Sequence, residues 1–137
     1  MVAEVLPVRL AEGSGAGLAH IVQQLLSSDL AEFEKKRRRA AKLRGRVMMT
    51  ALDHGVSVTL DFRGDEIVIF DGKREPIDTS IEAAHDSLLR MLQGRTNPLR
   101  EHLKGRLRVR STARKLLVPL RLYQLMKPSP GDDHAGR

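Results

Sequence analysis

The chain has no cysteine and no tryptophan, and its 137 residues include only three phenylalanines and one tyrosine. Without thiols there are no disulfides, no cysteine-ligated metal and no thiolate nucleophile. The aromatics Phe33, Phe62, Phe70 and Tyr123 are dispersed, whereas a surface that stacks unpaired bases wants them clustered. No run of about 18 apolar residues occurs, so no segment reads as a bilayer span. The N-terminal stretch carries Glu4 and lacks a long apolar core, which argues against a secretion signal and makes the cytoplasm the expected location. Acidic residues are outnumbered 17 to 24 by basic ones, for a formal charge of +7. That balance favours anionic partners, either phospholipid headgroups or nucleic acid. The length fits a single domain.

Catalytic and cofactor signatures are also missing. The glycine run 13–17 has Leu18 where a dinucleotide fingerprint needs its last glycine or alanine, and no Gly-Lys-Ser/Thr follows it. It reads as a linker before a helix. The histidines His20, His54, His85, His102 and His134 are scattered, with no His-Glu-x-x-His pair to hold a metal. No Gly-x-Ser-x-Gly elbow presents a nucleophile. The expectation is a protein without catalytic residues, metal or cofactor.

What is present is an ordered alternation of periods. Residues 1–17 read as a flexible lead in which Pro7 argues against a central strand. Leu18, Ile21, Val22, Leu25 and Leu26 recur at helical spacing. Ser28 or Asp29, with Glu32 completing a capping box, would open a second helix that carries Leu30, Phe33, Ala40 and Ala41 inward. From Arg46 the period becomes two. Three strands separated by Asp53-His54-Gly55 and Arg63-Gly64-Asp65, the last ending at Asp71-Gly72, read as an antiparallel meander. A fourth strand falls around 77–81 and a helix over 83–93. An apolar helix over 113–127 should be kinked or restarted at Pro119, and residues 128–137 read as a disordered tail.

The stretch 94–109, GRTNPLREHLKGRLRV, carries the most information. Gly94 suits a helix C-cap, Pro98 the first turn of the next helix, and Gly105 the end of that helix. Arg106 to Arg110 then alternates charged and apolar residues as a half-buried strand does. This Gly-x-x-Asn-Pro turn followed by Gly-basic-apolar-basic-apolar, after an apolar helix, resembles the sterol carrier protein 2 family from about Leu18 to Met126. The chain departs from the family in having Arg110-Ser111 after the strand and His102-Leu103 before Gly105.

The resemblance implies an α+β fold, with a five-stranded, mainly antiparallel sheet covered by helices on one face and a domain over 18–127. It also implies non-enzymatic binding or transfer of a sterol, fatty acid, acyl-CoA or phospholipid in an apolar tunnel. On that basis the ligand is expected between a sheet face bearing Met49, Val58, Leu60 and Phe62 and helices bearing Leu89, Leu92, Leu103, Leu120 and Tyr123. The basic run at Lys35, Lys36, Arg38, Arg39 and Lys42 reads either as a solvated helix face or as a headgroup contact on anionic membrane. A second reading is an accessory protein that presents a hydrophobic intermediate, such as a quinone precursor, to a membrane enzyme. The nearly all-round apolar C-terminal helix would then contact that enzyme or a second copy. Nucleic-acid binding is the weakest alternative.

Overall fold

Period-two patterning produces the sheet, and its register decides which residues are internal. The computed structural model describes residues 6–13, 17–112 and 117–126, the side chains of Leu117 and Leu120 excepted. Strands β2 (Arg44–Ala51), β3 (Val56–Arg63) and β4 (Ile67–Asp71) form the expected meander, with Met49 opposite Val58 and Leu60 opposite Ile69. Strand β5 (Thr79–Ala83) runs parallel to β2, and β6 (Leu107–Ser111) runs antiparallel to β5 with Val109 opposite Ile81.

The sheet has six strands, in the order β1-β4-β3-β2-β5-β6, rather than five. The additional strand β1 (Val8–Leu10) lies in the segment read as a lead, and it pairs parallel to β4 at the sheet edge. Pro7 precedes it, so no ladder donor is lost, and the Pro7 carbonyl accepts the Ile67 N–H at 2.9 Å.

One face of the sheet carries Val47, Met49, Val58, Leu60, Phe62, Ile67 and Ile69, all buried in the core. The other face mixes Met48, Val68 and Phe70 with polar and charged side chains. There Asp61 accepts from Arg46 and Arg63 at 3.3 and 3.0 Å, and Glu66 accepts from Arg9 at 2.8 Å. The Arg9 hydrogen bond, the largest influence, holds the Glu66 carboxyl below the usual carboxylate range.

Helix α1 (Leu18–Glu32) packs Leu18, Val22, Leu26 and Leu30 onto the apolar face. It does not stop at Ser28–Asp29. The chain breaks instead at Phe33, which is extended (φ −118°, ψ 109°), and α2 (Glu34–Lys42) follows. Asp29 is therefore inside α1 rather than a cap, and its carboxylate accepts from Lys36 Nζ at 2.9 Å. Lys36 is 1% exposed and cannot serve as a headgroup contact. The reason is geometric. Five successive cations at about 100° per residue circle the whole helix, so one must face the core, and Lys36 shares its stripe with buried Ala40 and Leu43.

Helix α5 is described over Leu117–Met126 and includes Pro119. The expected earlier start at 113 and the tail 128–137 lie outside the described residues. Helices α2 and α5 fasten each other through their last carbonyls. Arg39 Nη1 donates to the Gln124 carbonyl at 2.9 Å, and Arg121 Nη1 donates to the Lys42 carbonyl at 2.6 Å.

Candidate functional site

The segment singled out in the sequence builds one wall of the site, and it does so through helix-end chemistry. Helix α3 (His85–Leu92) ends at Gly94, whose φ of +69° lets its N–H reach the Met91 carbonyl while Arg95 N–H reaches the Arg90 carbonyl. Asn97 caps α4 (Pro98–Leu103), its Oδ1 accepting from Leu99 N at 2.9 Å, with Pro98 in the first turn. Gly105, at φ +78°, ends α4 by the same pair of bonds, to His102 and Glu101, and releases the chain into β6. Asn97→Ala should cost about 1 kcal/mol, read as a lower urea midpoint at unchanged slope.

These elements line an apolar cavity of about 500 Å3 that opens to the surface, within the roughly 300–1,000 Å3 typical of small-ligand sites. Its floor is Ile81 of β5 with Leu107, Val109 and Ser111 of β6. Met91 closes it from α3, and Pro98, Leu99 and His102 from α4. Pro119, Leu122, Tyr123 and Met126 of α5 form the remaining wall. His102 is oriented by donating its Nδ1–H to the Leu107 carbonyl at 2.9 Å.

Of the residues expected from sequence to touch a ligand, Tyr123 lines this cavity. Met49, Val58, Leu60, Phe62 and Leu92 are instead fully buried in the core, and Leu89 packs partly buried against it. Leu103 is 76% exposed and lies outside the cavity lining. The side chain of Leu120 is outside the described residues. Sequence reasoning chose Leu120 and Tyr123 of α5 and missed Pro119, Leu122 and Met126, although 119, 122, 123 and 126 follow helical spacing. Of the basic set, Lys35, Arg38 and Lys42 are exposed, with Arg38 paired to Glu34 at 2.7 Å.

A second polar cluster joins the β2–β3 turn to α3. The His54 and His85 rings stack with centroids 4.3 Å apart, and Asp53 Oδ1 accepts the His85 backbone N–H at 2.8 Å. That hydrogen bond is the main cause of the Asp53 carboxyl lying below its ordinary range. Among the described residues, no group of three or more His, Cys, Asp or Glu is placed to hold a metal. No described helix is long and apolar enough to cross a membrane.

Solved structures of the sterol carrier protein 2 type share this fold. A structure of the UbiJ-SCP2 ubiquinone synthesis protein is 16% identical, with 80% of this chain and 92% of that one covered at a TM-score of 0.63. A crystal structure of sterol carrier protein 2 is 23% identical, with 80% and 95% covered at 0.54. The sterol carrier protein domain 2 of Helicoverpa armigera is 15% identical, with 91% and 96% covered at 0.59. At these identities the likeness shows the fold alone. Curated protein sequences give no match. The description "SCP-2 sterol transfer family" matches residues 22–111, from within α1 to the end of β6, and the chain therefore belongs to that family.

Proposed function

We propose that the protein binds the apolar portion of a lipid in the cavity between β5, β6, α3, α4 and α5, without transforming it chemically. The carrying observation is the apolar cavity of about 500 Å3 itself. Family membership supports the same reading. Met91, Val109, Leu122, Tyr123 and Met126 would provide the contact surface. Burial of apolar ligand area at roughly 25 cal/mol per Å2, less the cost of association, would drive binding. The exposed cations Lys35, Arg38 and Lys42 add a salt-sensitive attraction to anionic headgroups in a cytoplasmic protein.

Native mass spectrometry of gently purified protein, with identification of any molecule released on denaturation, tests the reading directly. Val109→Trp should fill the cavity and lower uptake of a fluorescent fatty acid by about tenfold or more, with wild-type circular dichroism. Full uptake by a folded Val109→Trp protein would put the lipid elsewhere.

A second reading rests on the likeness to the UbiJ-SCP2 ubiquinone synthesis protein. Here the chain would present a hydrophobic intermediate to a biosynthetic enzyme rather than carry lipid between membranes. A stable complex or homodimer that disappears on truncation after Arg114 favours it. Undiminished association of the truncated chain excludes that contact.

A further inference from the structure

Four large apolar side chains among the described residues are exposed: Leu52, Val56, Leu99 and Leu103. Two of them belong to α4, where Leu99 is 50% and Leu103 is 76% exposed. Four residues apart, they lie on one side of the helix. Leu99 also lines the cavity, so this apolar strip runs from open surface into the cavity wall.

The surroundings of α4 are basic. Arg95, Arg100, Lys104 and Arg106 are all exposed, whereas Arg108 and Arg110 alternate with the cavity-lining residues of β6 and belong to the other face of the sheet. The segment's one acid, Glu101, is 5% exposed and turned inward, with Oε2 3.5 Å from Arg106. The leucines are thus flanked by cations with no exposed carboxylate from the same segment. Helix α2 differs, because Lys36 is buried against Asp29, Arg38 is paired with Glu34, and no large apolar residue of α2 is exposed.

We infer that α4 and its basic flanks are the surface by which the protein docks on an anionic phospholipid bilayer. Leu99 and Leu103 enter the headgroup–acyl boundary while Arg95, Arg100 and Lys104 meet lipid phosphates. Apolar residues beside cations on one helix suit that boundary. A nucleic acid would take the cations and leave the leucines in water. The Asn97 cap and the glycine ends hold α4 in place beforehand. The inference rests on the cavity being a lipid site, since docking here sets its α4 wall against the bilayer.

The test is co-sedimentation with phosphatidylcholine vesicles, with and without phosphatidylglycerol, alongside fatty-acid uptake in vesicle-free solution. Leu103→Asp should weaken binding to the anionic vesicles about tenfold. It should leave solution uptake unchanged, because Leu103 is outside the cavity lining. Arg100→Glu/Lys104→Glu should lose a similar factor, most strongly at low salt. Lys35→Glu/Lys42→Glu should lose less than about threefold. Wild-type vesicle binding by Leu103→Asp overturns the docking surface, as does a loss confined to the Lys35/Lys42 variant. DNA binding that falls with Arg100→Glu/Lys104→Glu, beside vesicle binding indifferent to Leu103→Asp, overturns it in favour of nucleic acid. Failure of every variant and the wild type to take up fatty acid, with vesicle binding still lost in Leu103→Asp, removes the cavity's lipid role and leaves the docking surface standing.

Discussion

Asp29→Leu alone should destabilise the protein by about 3–5 kcal/mol, the usual consequence of leaving one member of a buried ion pair, here Lys36, uncompensated, and Lys36→Met alone should destabilise it as well. The 2.9 Å pair joins α1 to α2, and its side chains are 7% and 1% exposed. The Lys36 ammonium also lies over the Phe33 ring, 5.4 Å from its centroid, a cation–π contact that adds to the ion pair. For a domain of this size such a loss lowers the melting temperature by roughly 10 °C or more. The double variant Asp29→Leu/Lys36→Met removes both charges and should recover most of the loss, because an apolar pair of similar volume carries no desolvation penalty. Thermal unfolding by circular dichroism of the four proteins forms a double-mutant cycle. Single variants as mild as ordinary surface substitutions, within about 0.5 kcal/mol, would mean the pair is hydrated in solution.

Phe62→Ala should cost about 3–5 kcal/mol, the range for truncating a buried aromatic ring. Phe62 is 1% exposed, on the face that also buries Val58 and Leu60, and it is not part of the cavity lining. Its truncation should therefore reduce stability in urea while the remaining folded protein takes up lipid as wild type does. Val109→Trp should do the reverse, because Val109 is partly buried and lines the cavity. Unchanged stability with lost uptake in Phe62→Ala would return the ligand to the β2–β3 face where the sequence pattern had put it.

The contrast between these two residues shows how far the sequence could be read. Phe62 and Val109 are both apolar residues in period-two segments, and nothing in the local pattern separates a wall from a core. The separation comes from strand order. With β6 at one edge and β3 between β4 and β2, the interior of the sheet is sealed by α1, while the β5–β6 end is covered by α4 and α5 with space left between. Strand order is a property of long-range pairing and leaves no periodic trace.

Lys36 makes the same point for charge. A run of five cations reads as a solvated stripe until the helix phase is known, and the phase was set by a break at Phe33 rather than at the Asp29 capping pattern. Local capping chemistry competed there with continuous packing of Leu26 and Leu30, and packing won. β1 was missed for a related reason. Three residues after a proline carry too little pattern to signal a strand, and the register with β4 supplies it.

The sequence by itself determined the elements whose causes are local. These are the helix ends at Gly94 and Gly105, the Asn97-Pro98 start of α4, and the meander with its Gly/Asp turns. All depend on φ preferences, caps and a period of two acting over a few residues, and the family resemblance was legible in that segment. Only the tertiary structure decided where the cavity lies, that Lys36 turns inward, and that Leu103 faces outward. Each of those depends on which distant element covers a given face, and burial is settled by the neighbour that arrives, not by the residue that awaits it.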